Sequence, residues 1–450
     1  MSLFQDLPPA ETYRVTGTGY LPSAFAVTPL ANASFAAVGQ ELAAMMKAAD
    51  LGTERPEIIV DQRLASLWFG YSFRAKDWEL PSLWDPIAGN YETQDGWIRL
   101  HTNLPHHRDA ALRVLECSAK REAVAEAVRS WDGDALETAI VEAGGVAARM
   151  RSRAEWLAHP QGKAITSEPL IHWQDSRPAQ LRPSLFTDPA RPLAGLRVLD
   201  LTRVLAGPIA TRTLAGFGAE VLRIDPPGWD EPGVIQDISL GKNMATLDLK
   251  TADGKAGFKS LLAQADVLVH GYRPGALEAL GLGPEHRHEI APNLIEVSLD
   301  AYGWSGPWAA RRGFDSLVQM SAGIAETGRL WASSSKPTPL PVQALDHATG
   351  YLMAASTLSA LRALVETGQA QCAKLSLART AEYLAALPPS QGHSGPEIQG
   401  PKDADFGDEP ELSSWGPGQR LRPALEVGQI LMHWPLPAQS CGSAAPAWQS

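Results

Sequence analysis

The run LPVQALDHATGYLMAA, residues 340–355, places one carboxylate, Asp346, and one imidazole, His347, at the head of an apolar, helix-forming stretch. An acid in that position has an ordinary use. It accepts backbone N–H bonds at the helix start and complements the helix dipole. It also has a chemical use, because a carboxylate can attack an acyl carbon and divide one difficult transfer into easier steps. The stretch by itself admits both. His347 would point elsewhere on a helix and reads as a packing or surface histidine.

The elements that must position Asp346 lie upstream. GLRVLDL at 195–201 reads as a short buried strand, LAGPIATRTLA at 205–215 as a helix opened by Gly-Pro, and AEVLRID at 219–225 as a second strand. Pro208 suits a first helical turn, where its missing N–H costs nothing. ATLDL at 245–249, a helix over 254–264, a strand at 266–270, a helix near Glu278 and a strand at 294–298 continue the alternation. That alternation predicts an α/β fold with a Rossmann-like open parallel sheet as its large domain. Residues 91–159 read differently. A hairpin half with an Asp95-Gly96 turn and helices over 108–117 and 121–129 predict a smaller α+β domain. The expected division is a partial large-domain-like segment over 1–84, the small domain over 85–175, the large domain over 190–390, and a linker and tail over 391–450. The stretch 388–414 is rich in Pro, Gly, Ser and charge, and 415–448 has little periodicity.

A chain of 450 residues with 44% hydrophobic residues can bury a full core and is long for one domain. Its net charge of −11 argues against nucleic acid as a partner. The three cysteines, Cys117, Cys372 and Cys441, lack CxxC or CxxH spacing, so neither a disulfide framework nor a zinc site is expected, and reduced thiols in a cytoplasm fit best. The first residues carry no basic or apolar leader pattern, and no apolar run approaches the ~20 residues that span a bilayer. Neither export nor a membrane partner is expected.

Five blocks, in order, resemble the class III CoA-transferase family, which includes formyl-CoA transferase, carnitine CoA-transferase and α-methylacyl-CoA racemase. They are LAGLRVLDLTRVLAGPIATRTLAGFGAEVLRID, GKNMATLDLKTADGK, ADVLVHGYRPGALEALGLG, NLIEVSLDAYGWSGPWAARRGFDSLVQMSAG and ALDHATGYLMAASTLSAL, within residues 193–361. YETQDGWIRL at 91–100 and AEWLAHP at 154–160 resemble the family's small domain, but here they precede the large one. A weak internal repeat offers a reason. Residues 33–69 echo 348–384, with Ala31 standing where Asp346 stands, as a tandem duplication with lost outer halves would leave them.

The resemblance implies that Asp346, in a Leu-Asp-x-x-Thr-Gly motif, is the nucleophile of CoA transfer between carboxylic acids, carried through an aspartyl-CoA thioester. It makes Asp315 a second, supporting acid, with surface pairing to Arg311 or Arg312 as the ordinary alternative. Leu205, Lys242, His270, Tyr272, Arg273 and Arg312 fall at or beside positions expected to hold coenzyme A. The partners implied are an acyl-CoA and an acid acceptor, in a homodimer, with no metal. Two departures matter. The family's frequent Asn-Arg-x-Lys-Arg block reads LGKNM at 240–244, and the Gln of formyl-CoA transferase's first βα turn is Leu205. The formyl/oxalyl pair is therefore not the expected substrate. Two rivals stand beside transfer, an acyl-CoA racemase and a non-catalytic acyl-CoA-binding relative. The racemase branch places His before the first acid, where this chain has Phe314. A nicotinamide dehydrogenase is excluded by the first turn, which reads Leu205-Ala-Gly-Pro and not Gly-x-Gly-x-x-Gly.

Overall fold

The computed structural model describes residues 3–52, 56–182, 185–388 and 395–449. Parts of the expected linker (389–394) and of the break inside the first repeat (53–55) lie outside the described residues.

Six parallel strands run through the large unit in the order Lys242–Thr246, Glu220–Asp225, Arg197–Leu201, Val267–His270, Ile295–Asp300 and Gln369–Ser376. The strands are apolar and buried almost end to end because helices cover both faces. The chain winds outward from Arg197–Leu201, then restarts on the other side at Val267–His270. Between these two strands the order reverses, and ligands of such sheets sit beyond the carboxyl ends there. An antiparallel strand, His172–Pro178, closes the edge beside Gln369–Ser376. The small domain's expected end at residue 175 therefore falls inside a strand of the large sheet. Its mixed sequence, HWQDSRP, gives no alternation to announce it.

The smaller unit is built on the predicted hairpin, Gly89–Glu92 with Trp97–Leu100, joined by a third strand, Ala147–Arg149. Ile98, Leu100, Val124, Val128, Leu136 and Ile140 form its own core. Two of its helices, Pro105–Leu115 and Arg121–Val128, match the pattern, and a third, Gly133–Glu142, was not expected. The third helix docks the unit. Its Glu137 accepts from Arg151 and from Arg311 of the large unit, each at 2.8 Å.

The residues before the small unit repeat the end of the large sheet. Arg14–Thr16 runs parallel to Ile58–Asp61, which pairs antiparallel with Leu425–Val427. Ile295–Asp300, Gln369–Ser376 and His172–Pro178 have the same arrangement. Thr16 lies opposite Asp61 as Asp300 lies opposite Ser376. Asp61 and Ser376 then cap the following helices alike, each accepting from the N–H three residues on. At the same offset the helix Val27–Ala48 corresponds to Ala344–Thr367, and these two helices pack along one another.

Residues 395–449, expected as linker and tail, are folded into this arrangement. The strands Gly416–Arg420 and Leu425–Val427 complete sheets begun by Phe73–Ala75 and Ile58–Asp61. Strands this short, interrupted by Pro and Gly, lack the length over which alternation becomes legible.

The paired helices make a stability prediction. Phe35 is fully buried and its ring lies 4.1 Å from that of Tyr351. Phe35→Ala should cost about 3–5 kcal/mol, read by urea unfolding. A loss below about 1 kcal/mol would mean that the N-terminal helix does not share the core of the large unit.

Candidate active site

Asp346 occupies the first turn of the helix Ala344–Thr367 and does not cap it. The N-cap is Gln343, which makes no side-chain cap bond. The free N–H groups of Leu345 and Asp346 donate instead to one oxygen of Asp315, at 2.9 and 3.0 Å. Asp315 opens a different helix, Asp315–Ser321, and its other oxygen accepts from Gln319 Nε2 at 2.5 Å. Gln319 Oε1 in turn accepts from the N–H of Leu340 at 2.7 Å. The capping duty that the sequence offers Asp346 is thus performed by Asp315, and the Asp346 side chain turns to a cavity. The surface-pair alternative for Asp315 does not hold, since Asp315 is buried and Arg311 is engaged with Glu137.

Burial pushes Asp346 well above the usual carboxylate range, and the neighbouring Asp315 adds to the rise. Burial also raises Asp315, to about 6, while the N–H of Asp346, the Gln319 amide and the N–H of Leu345 hold it down. Two carboxyls so placed titrate as a pair that resists carrying two charges.

The rest of the motif seats the helix. Gly350 faces the helix Ala206–Gly216 so closely that a Cβ there would stand 2.4 Å from the carbonyl oxygen of Ala206 and 2.8 Å from Ile209. Thr349 exchanges a 2.7 Å hydrogen bond with Thr380. His347 packs against Phe69, ring to ring at 5.4 Å.

Asp346 stands where two cavities meet. One, of about 280 Å³, is walled by Trp84, His101, Leu205, Phe314 and Asp315. The other, of about 450 Å³, is walled by Leu205, Tyr272, Arg273, Arg312 and His107, and by residues just past the strand ends at Leu201, His270 and Asp300. Of the residues singled out in the sequence, Asp346, Asp315, Leu205, Tyr272, Arg273 and Arg312 therefore come together. Lys242 and His270 do not reach either cavity. The Lys242 ammonium is buried beneath the sheet's first crossover, bonded to Asp200 at 3.0 Å and to the Pro208 carbonyl at 2.9 Å. His270 lies 3.2 Å from Glu296, which also holds Arg287. His270 ends its strand and Lys242 begins one, and both side chains serve the sheet.

Sequence reasoning missed Trp84, His101, His107 and the strained Val204. His101 stacks on Phe314 with ring centres 3.9 Å apart. Burial lowers both His101 and His107 to about 3, so both are neutral. Val204, a β-branched residue, takes φ +66° at the rim of both cavities. Its N–H is fixed to Glu231 at 2.6 Å, and Glu231 is held by Arg223. Nothing in the spacing of these residues links them, because they come from three separate segments.

The model of the family described as CoA-transferase family III matches residues 193–406. The chain is 35% identical over 205 residues to the "Probable fatty acyl-CoA transferase Rv3272" of Mycobacterium tuberculosis, covering 42% of this chain and 52% of that protein. It is 31% identical over 319 residues to an "Acyl-CoA transferase" of Gibberella moniliformis, 66% of this chain and 56% of that one. It is 35% identical over 202 residues to the "Succinyl-CoA:glutarate CoA-transferase" of Mus musculus, 42% of this chain and 45% of that one. The chain spans about half the length of these curated relatives.

Gly350→Ala should lower stability by about 2 kcal/mol, because neither the Ala206 carbonyl nor Ile209 can retreat without moving its helix. Chemical denaturation reads the change. A neutral result would show that the helix carrying Asp346 is free to shift.

Proposed function

We propose that this chain, whose residues 193–406 belong to CoA-transferase family III, moves CoA from an acyl-CoA to a second carboxylic acid through a covalent intermediate on Asp346. One observation carries the reading. A carboxylate relieved of capping by Asp315 faces the junction of two cavities, one fit for an acyl group and one for a longer anionic ligand.

The steps balance without an external proton. An Asp346 oxygen attacks the thioester carbonyl, the C–S bond breaks, and CoA leaves as thiolate from a mixed anhydride. The thiolate then attacks the Asp346 carbonyl carbon, releasing the donor acid as carboxylate and leaving an aspartyl-CoA thioester. The acceptor carboxylate attacks that thioester, freeing the thiolate once more. Attack of the thiolate on the acceptor's acyl carbon gives the new acyl-CoA and restores Asp346. Desolvation, which raises Asp346, makes its ionised form the stronger nucleophile. Asp315 keeps the helix N-terminus ordered beside it and supplies a protonatable neighbour to a developing oxyanion.

The 450 Å³ cavity would receive the phosphate-bearing part of coenzyme A. Arg273 and Arg312 line it, and among the described residues neither is paired with a carboxylate. Burial, then the neighbouring Arg273, holds Arg312 below its usual value, and two adjacent cations suit a phosphate. Tyr272 and Leu205 shape the same wall. Lys242 and His270 contribute from behind, as buried partners that fix the strand ends.

The racemase rival gains an imidazole, His101, stacked on Phe314. A ring held near 3 by burial is a poor base at neutral pH, so transfer remains the better reading. Location in the cytoplasm belongs to the same proposal, whereas the expected homodimer gives way in it to a pairing of two copies within one chain. No described helix is long and apolar enough to cross a membrane. The internal repeat supports an arrangement in which the first copy takes the place of part of a second subunit.

Asp346→Asn should keep the fold and bind acyl-CoA yet lower exchange by at least about 10³-fold, because an amide cannot form the anhydride. Intact mass of the wild type with acyl-CoA should show an adduct that hydroxylamine removes. Undiminished turnover in the variant, or a wild type inert to every acyl-CoA, would favour the non-catalytic relative.

Arg273→Ala and Arg312→Ala should each raise KM for acyl-CoA by roughly 10-fold with a smaller change in kcat, most strongly at low salt. Equal KM in both variants would move the CoA phosphates elsewhere.

A further inference from the structure

Room continues behind the acyl cavity, and one side chain stands across it. Beyond the cavity of about 280 Å³ that Asp346 faces lies a second of about 340 Å³, bordered by Asp315, Gln319 and Val342. A third, an open basin of about 530 Å³, follows beside Arg121 and Lys336. Among the described residues, Trp84 alone borders all three. Its indole is thus a partition in a row of spaces that runs from the reacting acid toward solvent.

The partition is fixed from several sides. Within Ser82-Leu83-Trp84-Asp85 the Ser82 hydroxyl donates to the Trp84 carbonyl at 2.9 Å and accepts from the Trp84 N–H at 3.2 Å. Asn103, three residues past the strand Trp97–Leu100, holds the backbone on both flanks. Its Nδ2 donates to the Leu83 carbonyl at 2.8 Å, and its Oδ1 accepts from the Asp85 N–H at 3.1 Å. Gly233 of the large unit backs the same segment, since a Cβ there would stand 2.9 Å from the Leu83 Cα. The ring itself is braced by two neighbours. The Arg99 guanidinium, which also faces Asp315, lies 4.6 Å over it, and the His101 ring meets it edge-on at 5.6 Å. A large ring held so firmly sets a boundary that a ligand cannot push aside cheaply.

We propose that Trp84 is the residue that limits acyl length, its indole closing the far end of the acyl cavity so that short acyl groups fit in front of it and long ones meet the ring. This rests on the acyl-CoA reading and adds a size rule to it. An acyl chain that starts at Asp346 runs past Phe314 and ends at Trp84. With the indole removed, the first cavity opens into the second and a longer chain has somewhere to go.

The test measures kcat/KM for straight-chain donors from butyryl- to decanoyl-CoA, with acetate as acceptor, in wild type, Trp84→Phe, Trp84→Ala and Asn103→Ala. The wild type should favour butyryl- over decanoyl-CoA by at least about 30-fold, since misfit in an apolar pocket is worth about 10–200-fold per methylene. Trp84→Ala should raise the decanoyl-to-butyryl ratio by at least about 30-fold, with Trp84→Phe between. Asn103→Ala, which keeps the ring and frees its backbone, should raise it by about 3-fold. Gain of the long donor is a change that mere loss of stability does not produce. Should Trp84→Ala not fold, Trp84→Phe carries the comparison. A wild type indifferent to length, or a ratio unchanged by either Trp84 variant, overturns the stop while leaving CoA transfer standing. Should no donor be turned over, the transfer reading fails separately and equilibrium binding decides. Butyryl-CoA bound at least about 10-fold tighter than decanoyl-CoA, with the difference lost in the Trp84 variants, supports the stop, and equal affinities overturn it.

Discussion

The structure turns on a helix cap supplied from outside the helix. Two N–H groups at the start of Ala344–Thr367 are satisfied by Asp315, thirty residues earlier in the chain. Without that donation the first turn would need its own acid, and Asp346 is the acid at hand. The cap therefore separates two jobs a single carboxylate would otherwise combine. It also brings the two carboxyls together in a buried place, where burial raises both and Asp315 adds to the rise of Asp346.

Everything around the pair keeps this arrangement rigid. Gln319 ties Asp315 to the backbone at Leu340, just ahead of the helix it caps. Gly350 lets the helix settle onto Ala206, which opens the helix after the first sheet strand. The sheet's reversal point, the strained Val204 loop and the Asp346 helix are in this way referred to one another. The smaller unit closes the remaining side through Glu137, which holds Arg151 and Arg311 at once.

The parallel sheet was legible because its strands are buried on both faces and read as unbroken apolar runs, and the Asp-x-x-Thr-Gly run was legible through its resemblance to a family motif, while the close helix packing that Gly350 permits emerged only in the fold. The position of Asp315 could be read, but its role could not, since a cap reaching across two helices leaves no local pattern. Lys242 shows the opposite failure. Its match to a family position suggested a phosphate, yet its buried ammonium is spent on Asp200.

The helix Val27–Ala48 carries Ala31 at the place that Asp346 takes in its counterpart, and Ala31 is fully buried. In an assembly of identical subunits every position answers to two equivalent surroundings, and no residue can be changed in one without being changed in the other. Here both copies are written separately in one chain. The first can carry an apolar residue there and serve as ballast for the core, while the second keeps the carboxylate that the proposed transfer uses. Symmetry in the backbone has been retained while symmetry in the side chains has been released, which lets stability and reactivity drift as independent traits.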